Sequence, residues 1–230
     1  MNNPFISYLV TCHNESKQLK DLLSLLCKYN TDGEIIVLDD FSDDINTKEV
    51  LSKCSVVHPM TLKPNFTVHQ HALNNNYGEH KNYGKSLCKG EYIFQIDADE
   101  LPAESLLEDL PDILKENPAT ELFWIPRINM YEGVTEQHAK MWGWDINNPG
   151  KWVNWNGGDY QTRIFKNLPN IKWEGRLHEK IIGHKTFAHL PKEEELALYH
   201  RKTMEKQMET NLRYNKLFTV EENKGYKVTR

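Results

Sequence analysis

Asp97-Ala98-Asp99-Glu100 follows directly on the apolar run Tyr92-Ile93-Phe94-Gln95-Ile96. Side chains alternate along an extended strand, so Asp97 and Asp99 point one way and Ala98 the other. Two carboxylates aimed at one spot repel each other unless a cation sits between them. Hard oxygen ligands of this kind suit Mg²⁺ or Mn²⁺, which in turn hold phosphate oxygens. The plainer reading is an acidic loop after a strand, with Glu100 starting a helix as an N-terminal charge. Two more polar clusters close apolar runs: Thr11-Cys12-His13-Asn14-Glu15 and Asp39-Asp40. Each alone has a capping or turn explanation. Ligands of an open parallel sheet gather beyond the carboxyl ends of its strands, and three such ends on one edge describe a nucleotide site.

The elements that must position these residues alternate along the chain. Phe5 to Thr11 reads as a buried strand, and the spacing of Leu19, Leu22, Leu23, Leu25 and Leu26 predicts an amphipathic helix over about 16–29. Asp32-Gly33 is a turn before a second apolar strand, Glu34 to Leu38. Such strand–helix–strand units with continuous apolar strands indicate a parallel sheet covered on both faces. Cys54 to His58 reads as a third strand, Asn82 to Cys88 as a helix and Glu91 to Ile96 as the strand before the acids. A helix is expected from Pro102, with Leu106, Leu107, Leu110 and Leu114 on one side and Asn117-Pro118 as its stop. Strands follow at Glu121 to Asn129 and Tyr160 to Lys166. Between them, residues 131–160 read as a long functional loop carrying Trp142, Trp144, Trp152 and Trp155. These aromatics either stack on a sugar or base or form a small satellite core. Glu193 to Val220 is expected to be helical with a break near His200.

The chain has 230 residues, a formal charge of -5, 39% hydrophobic and 27% charged residues. That is ordinary for a soluble globular protein and argues against a generic polyanion binder. Cys12, Cys27, Cys54 and Cys88 form no CxxC pair, so reduced thiols are expected rather than zinc or a disulfide framework. No run approaches the ~20 apolar residues of a membrane span. A cytoplasmic protein is expected, with peripheral membrane contact through the charged C-terminal helix left open.

These residues together resemble glycosyltransferase family 2. Val10-Thr11-Cys12-His13-Asn14-Glu15, Val37-Leu38-Asp39-Asp40, His80-Lys81-Asn82, Gly90-Glu91-Tyr92 and Asp97-Ala98-Asp99-Glu100 carry the resemblance over about residues 4–130. Arg163-Ile164-Phe165-Lys166, Trp173, His178-Glu179 and Tyr199-His200 resemble a bacterial and viral branch. The resemblance implies an α/β fold of GT-A type: a Rossmann-like, mostly parallel sheet flanked by helices, with an irregular acceptor side and a C-terminal helix. It divides the chain into a nucleotide-sugar-binding core (1–130), an acceptor-side segment of the same catalytic domain (131–200) and a helical extension (201–230). It implies a metal-dependent inverting transfer from a UDP-sugar to an acceptor hydroxyl, a surface glycan or lipopolysaccharide by default. Donor contacts would come from Thr11, His13, Asn14, Glu15, Asp39, Lys81, Asp97, Ala98 and Arg163. Mn²⁺ or Mg²⁺ would be held by Asp99 with Asp97 and His200. Lys81 stands where the family often carries arginine, which loses the bidentate fork for phosphate. Arg163, Arg201 and Lys202 would neutralise the diphosphate. The base would be Glu179, from the likeness to the His-Glu pair of that branch, with Asp159, which precedes a strand on the acceptor side, as the fallback; the family's common Glu-Asp motif is absent.

Other classes remain open at this level. A nucleotidyltransferase should carry a glycine-rich phosphate loop near the first strand, and residues 9–18 hold no glycine. A non-catalytic sugar-nucleotide or glycan binder has the same motifs. A protein side chain or a modified viral DNA base is an alternative acceptor, with the acidic charge weighing against nucleic acid.

Overall fold

The computed structural model describes residues 5–29, 33–56, 65–147 and 152–223. The first half alternates strand and helix: β1 (Ile6–Cys12), α1 (Ser16–Tyr29), β2 (Glu34–Asp39), α2 (Ile45–Val56), β3 (Asn65–Gln70), α3 (Tyr77–Leu87) and β4 (Tyr92–Asp97). Then come β5 (Glu100–Pro102), α4 (Glu104–Glu116), β6 (Leu122–Glu132), α5 (Glu136–Trp142), β7 (Ile146–Asn147), β8 (Trp152–Val153) and β9 (Tyr160–Lys166). The last part holds β10 (Lys172–Glu174), β11 (Lys180–Ile182), β12 (Phe187–His189), a 3₁₀ turn (Glu194–Leu196), β13 (Leu198–Thr203), α6 (Met204–Leu217) and α7 (Val220–Asn223).

The main sheet runs β3-β2-β1-β4-β9-β6-β13-β5. Its first four strands are parallel; β9 is antiparallel to both β4 and β6, and β13 runs parallel to β6 and antiparallel to β5. This is the mostly parallel α/β sheet the motifs imply. The residue alternation of β1 explains its two covered faces. Tyr8 and Val10 point into a core with the leucines of α1 and α4, while Leu9 points into the opposite core with Phe165, Ile171 and Trp173.

Several sequence expectations need correction. Cys54 to Val56 close a helix, not a strand, and His58 lies outside the described residues, as does Asp32 of the expected turn. The Asp44 carboxylate caps this helix, accepting from the Thr47 amide and hydroxyl at 2.7 Å each. Short apolar runs do not distinguish helix ends from strands. Glu100 begins β5 rather than a helix, and the following helix starts at Glu104. Residues 131–160 are not structureless: β6 extends to Glu132, and α5 and the β7–β8 pairing follow. Thr135 and His138 form a reciprocal capping box on α5. His200 sits in mid-strand on β13, where Leu198 and His200 alternate inward, and the C-terminal helix begins only at Met204.

Candidate functional site

The carboxyl ends of β1, β2 and β4 lie side by side. Register pairs Thr11 with Asp97 and Cys12 with Asp39. Asp97 is engaged on both oxygens. Oδ1 accepts from the Thr11 hydroxyl at 2.7 Å and Gln95 Nε2 at 2.8 Å, and Oδ2 accepts from Arg163 Nη2 at 2.7 Å. Burial alone would raise this carboxyl, but Lys81 and Arg163 hold it far below the usual carboxylate range. Ala98 is buried and donates its amide to the Thr11 carbonyl at 2.9 Å, which sets the turn between Asp97 and Asp99.

Beneath Asp97 lies a closed ion network. Glu100, 2% exposed, takes Arg163 Nε at 3.0 Å, Arg163 Nη2 at 2.7 Å and Arg127 Nη1 at 3.3 Å. Arg163 Nη1 donates to Gln95 Oε1 at 2.9 Å. The Arg163 guanidinium, expected at the diphosphate, is buried and bonded to Glu100, Gln95 and Asp97. Arg127 continues to Asp159 through Nε and Nη2, both at 2.9 Å. Asp159 also accepts from Asn129 Nδ2 at 2.6 Å and Gln161 Nε2 at 2.8 Å. Burial opposes ionisation here, yet Arg127 and these amides push the carboxyl down.

Asp99 is placed differently. Its Oδ2 lies 3.4 Å from His200 Nε2, brought opposite by the antiparallel pairing of His200 with Glu100. Among the described residues no three His, Cys, Asp or Glu side chains converge, so Asp99 and His200 form a pair and Asp97 stays with Arg163. One carboxylate and one imidazole are donors that would fit Mn²⁺.

Helix α3 carries the other half. Lys81 is buried, with Nζ 2.7 Å from Glu179 Oε1 and 3.4 Å from Asp97 Oδ1. Its ammonium is thus spent on two carboxylates rather than presented to phosphate. His80 is buried beside His71, and burial lowers it to about 4. Asn82 clamps β10 in both directions, donating to the Trp173 carbonyl at 2.8 Å and accepting from its amide at 2.9 Å. The α3 N-terminus holds the Glu179 loop: Tyr77 N–H donates to the Arg176 carbonyl and Gly78 N–H to the Gly175 carbonyl. A Cβ on Gly78 would meet that Gly175 oxygen at 2.5 Å. Gly175 (φ 108°) and His178 (φ 51°) both need left-handed backbone to turn the loop.

At the β2 end, Asp39 is buried and accepts from the Ser42 amide at 3.0 Å and Gln70 Nε2 at 3.1 Å. A hollow of about 230 Å³ beside it is lined by Asp39, Lys48, Leu51, Ser52, Val68 and Gln70. Asn14 is a loop clamp, its Oδ1 accepting the amides of Asp43 and Asp44 and its Nδ2 donating to Asp43. His13 is exposed, its Nδ1 donating to the Asp40 carbonyl at 2.7 Å. Glu15 receives the His13 amide at 2.7 Å and Lys206 at 3.2 Å, which ties α6 to the strand ends. Phe41 is exposed at φ 46°, a strained backbone for a bulky residue. Arg201 is exposed, and burial lowers Lys202 near Asp99. Trp142 and Trp144 pack with Tyr131 and Ile146 in a satellite core, as the plainer reading had it. Trp152 and Trp155 meet edge to face.

Sequence reasoning missed Gln95, Arg127, Asn129 and Gln161. Their signal is a polar side chain inside a strand, at the i, i+2 spacing of one face for Arg127 and Asn129.

The fold and the acids at its strand ends define a GT-A type α/β protein. Residues 7–174 match the model of "Glycosyl transferase family 2", and the chain belongs to that family. It is 32% identical over 117 residues to the poly(ribitol-phosphate) beta-N-acetylglucosaminyltransferase TarP of Staphylococcus aureus (strain N315). That match covers 49% of this chain and 33% of TarP. Solved structures of S. aureus TarS are similar in fold. TarS 1–349 in complex with UDP-GlcNAc has a TM-score of 0.58 at 18% identity, covering 86% of this chain and 58% of that one. The longer TarS chain has a TM-score of 0.60 at 18% identity, covering 86% and 36%. This chain thus spans a third to three-fifths of these relatives. Glu179 and His200 both lie beyond the matched residues 7–174.

Proposed function

We propose that this chain is a metal-dependent inverting glycosyltransferase that moves a sugar from a UDP-sugar to an acceptor hydroxyl. The observation that carries this reading is the pairing of Asp99 with His200 beside Lys81, which joins Asp97 to Glu179. The hollow at Asp39 is the place for the base, and Thr11, Asp97 and Glu15 border the ribose. Asp99 and His200 would hold Mn²⁺ or Mg²⁺, whose positive charge stabilises the departing diphosphate. Asp97 supports that site through Arg163 and Lys81 rather than by ligation.

Glu179 is the general base. Among the described residues its carboxylate bonds only Lys81, through Oε1, so Oε2 is available for a proton. It takes the proton of the acceptor hydroxyl; the oxygen bonds to the anomeric carbon as the bond to UDP breaks. Asp159, with four donors on its two oxygens, is not suited to that task. UDP-N-acetylglucosamine is the donor we favour, from TarP's name and the TarS complex. A β-product from an α-linked UDP donor is an inversion. A surface glycan, of the polyol-phosphate kind in TarP's name, is the acceptor. The test is Asp99→Ala, assayed for Mn²⁺-dependent release of UDP from UDP-N-acetylglucosamine. Turnover should fall about a hundred- to a thousand-fold at an unchanged melting temperature; unchanged turnover would sink the mechanism.

A further inference from the structure

Behind His200, Asn129 and Asp159 continue a line of side chains to which the proposed transfer gives no task. Asn129 and His200 are register partners on the parallel strands β6 and β13, so their side chains share a face. Asn129, 4% exposed, lies between the other two: His200 Nδ1 is 2.8 Å from Asn129 Oδ1, and Asn129 Nδ2 donates to Asp159 Oδ2 at 2.6 Å.

The amide has one orientation that works. Turned over, its oxygen would face a carboxylate oxygen at 2.6 Å, two acceptors in contact inside the protein. Asp159 is itself immobilised by Arg127 and Gln161. The amide oxygen therefore faces the histidine, and Nδ1 must carry the hydrogen that meets it. The competing arrangement, Nε2–H donated to Asp99, has only a 3.4 Å contact to offer. A bond at 2.8 Å outweighs one at 3.4 Å. Tyr131 stands edge-on to the ring at 6.0 Å and offers it no hydrogen bond.

We propose that Asp159 and Asn129 are a positioning pair: they hold the His200 ring with Nδ1–H on Asn129 and the Nε2 lone pair open toward Asp99. Nε2 and the carboxylate are then two electron-pair donors facing one point, the arrangement that a divalent cation bridges. This rests on the metal reading above and gives Asp159, the fallback base by sequence, a task that needs no proton transfer.

The test separates the two claims. In metal-free protein at about pH 9, above the ordinary imidazole range, ¹⁵N chemical shifts of the His200 ring report the tautomer, with His200→Gln identifying the signals. Mn²⁺ affinity is measured by electron paramagnetic resonance. The parent should show Nδ1–H and bind Mn²⁺. Asn129→Leu should release the tautomer and weaken Mn²⁺ about 10- to 100-fold. Asn129→Asp combined with Asp159→Asn exchanges the charges, keeps an acceptor on Nδ1–H, and should restore both readouts to within a few-fold. A merely structural role predicts no such rescue. Asn129→Leu that keeps Nδ1–H and full affinity overturns the proposal, as does a parent with hydrogen on Nε2. Should Asn129→Leu fail to fold, the doubly exchanged variant decides: a ring with hydrogen on Nε2 there overturns it too. A parent that keeps Nδ1–H but binds no Mn²⁺ overturns the metal reading and still supports the positioning pair.

Discussion

Two groups of charged residues sit at the same edge of the sheet and are built from the same side-chain types. Around Glu100, every carboxylate meets guanidinium or amide donors, and Arg163 spends its nitrogens on Glu100, Gln95 and Asp97. Around Asp99 and Glu179, each carboxylate has one close side-chain nitrogen, His200 Nε2 at 3.4 Å and Lys81 Nζ at 2.7 Å, on one of its oxygens. The first group is closed on itself, and the second is the one the proposed function assigns to ligand. The difference is the count of donors per acceptor: a buried charge removed from water must be paired fully, and one left short is stable only where something else comes to it.

Breaking this division should give unlike readouts. Glu179→Gln should cut kcat about 10²- to 10⁴-fold with KM for the donor little changed, since it removes the proton acceptor; steady-state kinetics decide it. A loss in KM alone would move Glu179 out of the chemistry. Glu100→Gln should cost about 3–5 kcal/mol of stability in urea unfolding, because Arg163 and Arg127 lose their buried partner. A cost under about 1 kcal/mol would mean the closed network is not scaffold. Gly78→Ala forces the Gly175 carbonyl away and should cost about 1–3 kcal/mol, with a fall in kcat as the Glu179 loop moves. If stability falls and kcat holds, the loop is tethered elsewhere.

Strands β1, β2 and β4 were legible because they are nearly continuously apolar and end in polar clusters, which needs only local pattern; β3, Asn65-Phe66-Thr67-Val68-His69-Gln70, has no such pattern and was missed. The positions of Asp99 and Asp39 at strand ends were legible in the same way, whereas Lys81, on α3, was singled out only by the family resemblance. The C-terminal part was not. Leu198-Tyr199-His200-Arg201-Lys202-Thr203 has a polar, mixed composition, and it forms a strand only because β6 and β5 offer their edges on either side. Arg163 was found without its partners: its sequence neighbours give no sign that Glu100 and Asp97 wait for it across the sheet. Cys54 to Val56 misled for the reason common to short apolar runs, since the deciding cap at Asp44 lies outside the run.

The place of β13 between β6 and β5 has a consequence for synthesis. β5 ends at Pro102 and β6 at Glu132, whereas β13 begins at Leu198. At about 5–20 residues per second, a ribosome leaves that slot empty for seconds after both of its walls have emerged. Through that interval two strand edges stand unpaired, which is where chains stick to one another. The growing chain already holds Asp97, Asp99 and Asp39 but not His200. Nascent chains stalled just before Leu198 should therefore need a chaperone to stay apart, and release of β13 should bring solubility and the imidazole that faces Asp99 in one step.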